Sequence, residues 1–555
     1  MKNLIFEKDD IKKNFAIALA VLACLFRLFL SYTQYATIYP PLAPLDDDLM
    51  FKAAQSIVRG KWLGDYTWLT ISKHAFFAVW LAFLHKFNIP FLVGNMSLWI
   101  FSCMIFIKAL NPAIKKNWLK LFCFLGLVYN PAACASYATR VYRDSVFPAF
   151  CLLFFRAVCR VGLRYKERVK KWLPWLSLGG VSFGLVYLTR EDGIWVLPFF
   201  AIAFILIFIL LFLEKDKKIL PKLMSLFLPV ALAGAVISGY CYMNYRFYGR
   251  FIVSDFQSKE FKSAYGALTS LEQDNWKPLV AVPKDVRADV RQVVPSFADV
   301  NRLLSDTDYF SNGYYSEEAD DYNSGSFYWA LRKAIRQLGY YKDAQTAKEY
   351  YENLTAEIQR CVDSGELKTA NGKNKLRVSV TPPIKGEYVL PILAETFKGF
   401  GMVITFGQCD PLAERAVGKD YEIARVRDFI NREGYVACIE NTDIPYLSPI
   451  RRLSHKFMRV MISIYKVCMP IMLLITFTWQ IKKLIRDIKE KKFDRSSMLN
   501  IILLGLIGMA FLRCAMIGFM EVSSFAIGTY VMYLSTVQPL VIAYGFLGFA
   551  KTFEQ

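Results

Sequence analysis

Several stretches of this chain stay apolar for the roughly 20 residues a helix needs to cross a bilayer, and that fixes its solvent before any other feature is read. Candidate spans fall near 15–35, 90–110, 118–136, 145–163, 172–189, 193–213, 222–243, 457–480, 498–517 and 525–549. The chain has 555 residues, 55% of them apolar and 16% aromatic, and a mean hydropathy of +0.29. The pattern predicts a polytopic α-helical membrane protein with about 10 transmembrane helices. The first span sits where a signal peptide would. Its apolar run continues past Cys24 to Tyr32 with no small-residue cleavage site, which predicts an uncleaved anchor.

The net charge of +21 raises the question of a nucleic-acid partner, and its distribution answers it. With both termini placed on the cytoplasmic side, 25 Lys and Arg fall on the inner segments, against seven on the short outer ones. The inner set includes Lys115, Lys116, the run from Arg156 to Lys171 and the run from Lys482 to Arg495. Such asymmetry sets the orientation of a membrane chain, so the basic excess is topological and predicts no nucleic-acid partner. Nine of the twelve cysteines lie in or beside apolar spans, where they act as small hydrophobes. Of the other three (Cys361, Cys409, Cys438), Cys409 and Cys438 are a candidate disulfide if their segment lies outside. The three histidines show no zinc-ligand spacing.

The expected organisation has three parts. Residues 1–243 hold about seven spans and a long first outer loop, 36–89. Residues 244–456 are less apolar and carry turn signals (Asn312-Gly313, Asn371-Gly372, Thr381-Pro382-Pro383), the pattern of an extracytoplasmic domain with its own core. Residues 457–555 return to the membrane with about three spans. Within the middle part, 326–340 and 343–364 read as amphipathic helices, and 376–381 and 386–393 as strands, so an α+β domain is expected. Gly180 and Gly184 have the spacing of a close helix contact in a membrane.

Asp46, Asp47 and Asp48 follow directly on the first span and precede a helical repeat of apolar residues (Leu49, Met50, Ala53, Ala54, Ile57, Val58). This predicts an amphipathic helix on the membrane surface with an acidic cluster at its start. One Asp in that place would serve as a helix cap; three point to polar chemistry beside lipid. The same outer face collects Arg140, Arg143 and Asp144, then Arg190, Glu191 and Asp192, with Glu521 between the last two spans and Arg513 within one. Lys73 and His74 lie in the first outer loop and complete the candidate set.

Acids and arginines converging on one face suit a substrate carrying both a hydroxyl and a phosphate. A carboxylate accepts the proton of an acceptor hydroxyl as it attacks an anomeric carbon. Guanidinium groups neutralise the departing phosphate bidentately. A phosphate leaving group needs little acid assistance, so one base suffices, unlike the two carboxyl groups of a glycosidase. Asp46, Asp47 and Asp144 also form a candidate oxygen-ligand set for a divalent cation such as Mg or Mn.

The segment from Asp46 resembles the first outer loop of GT-C glycosyltransferases, roughly D-[DE]-x2-Y-x3-A-x2-[LI]-x2-G. Asp46, Asp47, Ala54, Ile57 and Gly60 fall in register, with Met50 in place of the aromatic. Lys73 to Trp80 is similar to the family's second juxtamembrane segment, without its proline, and Arg140–Asp144 and Arg190–Gly193 resemble its Arg/acid pair and its R-x-E/D-G turn. The C-terminal stretch from Arg513 is similar to the family's last spans, with Thr529 where an Arg is common. The resemblance covers 1–243 and 457–549 and leaves the middle part unmatched.

That resemblance implies an inverting hexosyl- or pentosyltransferase of the cell envelope, working in glycan biosynthesis. It would take a sugar from a polyprenyl-phosphate donor to a glycan, lipid or protein acceptor outside the cytoplasm. Carried over by position, Asp46 is the base, Asp47 and Asp144 its acidic neighbours, and Arg140, Arg143, Arg190 and Arg513 the phosphate ligands. Two readings of other classes stand beside it. A transporter or flippase would place polar breaks at mid-membrane depth, whereas these charges gather at one face. A non-catalytic assembly protein would keep the fold without the chemistry.

Overall fold

The computed structural model describes residues 11–39, 43–213, 219–274, 277–306, 314–412, 416–431, 448–491, 493–526, 528 and 531–554. The chain is predominantly helical, and among these residues six helices are long and apolar enough to cross a membrane. After α1 (Ile11–Thr33) come α2 (Asp47–Val58), α3 (Phe76–Lys86), α4 (Phe91–Leu110), α5 (Asn117–Val128), α6 (Phe147–Leu163), α7 (Leu173–Thr189), α8 (Leu197–Leu213) and α9 (Leu228–Tyr248). Several are shorter than the hydropathy reading has them. The expected span 118–136 stops at Val128, because Asn130 caps a new turn that begins with Pro131. Close packing of α7 on α9 explains the glycine pair. A methyl group on Gly180 would stand 2.5 Å from the Pro229 carbonyl oxygen, and one on Gly184 would stand 2.8 Å from Val236 Cβ.

The middle part differs from expectation. It is built from α10 (Lys259–Leu268), α11 (Lys284–Val293), α12 (Pro295–Ser305), α13 (Ser324–Gln337) and α14 (Ala344–Ser364). The two amphipathic helices lie where their periodicity puts them. The two strands do not: 376–381 is irregular, and Val389–Ile404 is a further helix, α15. The strands among the described residues are a two-residue hairpin, Tyr315–Ser316 with Asp321–Tyr322, so the domain is helical rather than α+β. The apolar run at 389–393 is bounded like a strand but starts a helix that packs on α17 (Arg495–Met520), where tertiary contact decides between the two.

Two hydrophobic cores follow. One joins α10 to α14 with Trp68 of the loop between α2 and α3. The other gathers the membrane helices and includes Val403, Phe406, Ile423, Val426 and Phe429, so the segment after α15 belongs with the membrane part. The chain then enters α16 (Pro449–Glu490), α17 and α18 (Gln538–Thr552). The last expected span, 525–549, is broken: a π-turn covers Glu521–Phe525 and α18 starts only at Gln538. Cys409 is buried, while the expected pairing with Cys438 lies outside the described residues.

The helical domain is fastened to the acidic loop. Arg332 of α13 donates to the Trp68 carbonyl and, at 3.0 Å, to Asp255, whose own amide donates to the Ile71 carbonyl at 2.7 Å. These contacts hold α13 against the loop that joins α2 to α3.

Candidate active site

The apolar spacing of α2 buries Met50, Phe51, Ala53 and Ala54, and Gly60 takes a positive φ of 76° to turn the chain out of the helix. Asp46 stands at the helix N-terminus, yet its side chain makes no capping hydrogen bond. Its Oδ1 instead accepts from Lys73 Nζ and from the Tyr142 hydroxyl at 2.6 Å. Burial opposes ionisation of Asp46, but the charges of Lys73 and Arg143 and the two hydrogen bonds outweigh it and hold the carboxyl well below the usual range. Burial pushes the Tyr142 hydroxyl well up, so it stays protonated and donates.

Asp47 is buried and accepts two bonds from Arg140, at 2.9 Å from Nε and 2.5 Å from Nη2. Burial raises its pKa to about 6, against the pull of Arg140 and with the help of the neighbouring Asp46 and Asp144 charges. Asp48 turns away on the outside of α2 and pairs with Lys52 at 2.5 Å, so it is not part of the site.

Behind Asp46 the charges alternate. Arg143 Nη1 donates to both Glu191 oxygens at 3.0 and 2.7 Å. Arg190 donates to Asp144 and, at 2.9 and 3.1 Å, to Asp192. Arg513, fully buried in α17, closes the chain with a 2.7 Å bond to the same Asp192 oxygen. Five carboxylates (Asp46, Asp47, Asp144, Glu191, Asp192) thus face five cations (Lys73, Arg140, Arg143, Arg190, Arg513), brought from segments more than 300 residues apart in one case.

Six of these ten residues line one cavity of about 360 Å³. Asp46, Lys73, Tyr142, Arg143, Arg190 and Asp192 line it from below. Tyr328 and Trp329 of α13 form its roof, with the Lys73 ammonium 5.2 Å from the Trp329 ring centre. Met516, Ile517 and Met520 of α17 give it an apolar wall, and Glu521, which accepts the Gly528 amide at 2.5 Å, stands at its edge.

Of the residues singled out in the sequence, Asp46, Lys73, Arg143, Arg190, Glu191, Asp192 and Glu521 meet in this cavity. Asp144 lies one layer deeper, behind Arg190, with its Oδ2 buried and without a partner among the described residues. Asp47, Arg140 and Arg513 support the floor without lining it. His74 does not line the cavity: it is buried, burial lowers its pKa, its Nδ1 donates to the Tyr187 carbonyl, and its amide donates to Glu191 at 3.0 Å. Tyr142 and Trp329 were not legible as site residues. Tyr142 lies between two arginines of interest, and Trp329 sits on an amphipathic helix whose partner no sequence pattern names.

The set does not fit a divalent metal. Asp46, Asp47 and Asp144 each turn to a different cation, and the described residues contain no cluster of three metal-ligating side chains.

Among solved structures the chain is similar to ArnT from Cupriavidus metallidurans in the apo state, at 11% identity and a TM-score of 0.32 over 96% of this chain and 76% of that one. It is likewise similar to the same protein bound to undecaprenyl phosphate, at 10% identity and a TM-score of 0.30 over 97% of this chain and 77% of that one. Both likenesses are weak in sequence and in superposition. No known family profile matches the chain, and no curated protein matches it.

Proposed function

We propose that this protein is a membrane glycosyltransferase of GT-C type, which moves a sugar from a lipid-phosphate donor to an acceptor at the face that carries the charged cavity. The observation that supports this most is Asp46: a carboxylate that could have capped a helix instead faces a cavity with arginines on its floor and an apolar wall beside it.

In the resting site Lys73 and Tyr142 occupy Oδ1 of Asp46 and keep it ionised, a poor base. A donor phosphate entering beside Arg143 and Arg190 competes for the Lys73 ammonium. Drawing Lys73 away raises the basicity of Asp46 at the moment the donor is in place. The acceptor hydroxyl then gives its proton to Asp46 as its oxygen attacks the anomeric carbon. The bond from that carbon to the phosphate oxygen breaks with inversion, and Lys73, Arg143 and Arg190 take up the charge left on the phosphate. The apolar wall of Met516, Ile517 and Met520 suits the first isoprenoid or acyl carbons next to the phosphate. No step runs through a metal.

The test is Asp46→Asn in cells at matched protein level, with Asp48→Asn as the control on the same helix. Build-up of a lipid-linked sugar together with loss of one surface-glycan sugar, in the first variant only, supports the transferase. The even match of five acids to five cations is the observation that favours a non-catalytic scaffold. Unchanged glycans in a folded Asp46→Asn protein would put that reading ahead.

A further inference from the structure

The start of α16 carries charges that topology does not explain. Arg451, Arg452, Lys456 and Arg459 fall in its first three turns, while the opposite end of the same helix bears Lys482, Lys483, Arg486 and Lys489. A span with cations at both ends breaks the usual asymmetry, and the end in question lies on the side of the candidate site. Asp410, which faces Arg459 at 3.4 Å, also accepts the Ser136 amide through its backbone, four residues before Arg140.

One face of α16 sorts these residues. Arg452, His455, Lys456, Arg459, Val460, Ser463, Ile464, Val467 and Cys468 recur at three- and four-residue spacing, a continuous stripe roughly 24 Å long at 1.5 Å per residue. With Leu412 the stripe forms an open groove of about 850 Å³, separate from the charged cavity. Its upper half is cationic. Its lower part is apolar, and Val460, Ile464 and Val467 are exposed. His455 sits where the two meet, 3% exposed, with neither ring nitrogen bonded among the described residues. A buried imidazole with two unsatisfied nitrogens in a cation-lined groove lacks an acceptor or donor that a ligand would supply.

We propose that this groove holds a membrane lipid with an anionic phosphate headgroup. The phosphate sits among Arg452, Lys456 and Arg459 and reaches His455, and an acyl chain lies along Val460, Ile464 and Val467. Charge and apolar surface follow in the order in which a lipid presents them across the headgroup boundary. A soluble anion would use the cationic half alone, whereas a lipid uses both halves. The site does not depend on the transferase reading.

The test uses the purified full-length protein in detergent. Native mass spectrometry counts retained phosphatidylglycerol against phosphatidylcholine, for wild type and for Arg452→Ala/Lys456→Ala/Arg459→Ala. These three side chains are exposed, so a matched thermal transition shows that the variant is folded. Wild type is expected to prefer the anionic lipid, and the triple variant to lose that preference by up to about a hundredfold, from about fivefold for each of three cations near a charged surface. Cys468 gives a second readout: it is the exposed thiol among the described residues, at the apolar end of the stripe. Phosphatidylglycerol should slow its reaction with a maleimide in wild type and not in the variant. Equal lipid preference in the two proteins overturns the proposal. So does protection of Cys468 by phosphatidylcholine to the same degree, or complete displacement of the lipid by inorganic phosphate.

Discussion

Replacing Asp192 by Asn tests the charged floor without any assumption about activity. Asp192 is the acid shared by Arg190 and Arg513. Arg190 keeps a second carboxylate in Asp144, but among the described residues Arg513 keeps no second carboxylate: it retains the neutral Tyr533 carbonyl at 3.3 Å and the Met516 sulfur at 3.6 Å, and its Nε has no partner there. The guanidinium of Arg513 is fully buried, so the substitution strands a charge where it cannot be hydrated. Breaking a buried pair from one side costs about 3–5 kcal/mol. Arg513→Met costs less, because Asp192 retains Arg190. In the double variant the stranded charge is gone, so Asp192→Asn/Arg513→Met should be more stable than Asp192→Asn alone. The coupling should reach about 2–3 kcal/mol, near the upper end for neighbours in one network. The assay is denaturant or thermal unfolding in one detergent at one pH, for wild type, both single variants and the double. Losses that add within about 0.5 kcal/mol would refute the argument, since that is the behaviour of independent sites.

Stability should also depend on the titration of Asp47. Its folded pKa of about 6 lies above the ordinary aspartate value, so the folded state holds a proton more tightly than the unfolded one. Its unfavourable contribution is complete above pH 6 and relieved as pH falls from 6 towards 4, and Asp47→Asn should flatten that part of the profile. Asp46 shifts the other way and should lose its stabilising contribution only in strong acid. Asp48→Asn should change stability by less than about 1 kcal/mol, as the loss of a partly exposed i,i+4 pair does, in a urea titration beside wild type. Gly180→Ala should lower the thermal transition by the equivalent of about 1–3 kcal/mol, because the added methyl meets backbone of α9 that cannot rotate away.

Much of the candidate site was legible because charge beside lipid is conspicuous. Asp46, Lys73, Arg143, Arg190, Glu191 and Asp192 stand out against apolar spans, and one cavity collects them. Which aspartate faces the cavity was not legible. Asp46, Asp47 and Asp48 are adjacent in the chain and turn to Lys73, Arg140 and Lys52 respectively; Lys52 is one turn along the same helix, but the positions of Lys73 and Arg140 depend on other segments of the fold. Tyr142 was hidden for a related reason, since a tyrosine near an interface is ordinary until its hydroxyl is seen on Asp46.

The sequence by itself determined the solvent and the helical character, because long apolar runs leave the backbone no hydrogen-bond partners but its own. It also determined the two amphipathic helices of the middle part, whose periodicity survives any tertiary arrangement. Tertiary structure alone decided that 389–404 is helix rather than strand, since a short apolar run takes its form from what it packs on, here α17. It alone placed α13 as the roof and Arg513 beside Asp192, 321 residues away along the chain. Ion pairing carries no sequence signature at such a distance, because a charge is satisfied by whichever opposite charge the fold brings to it.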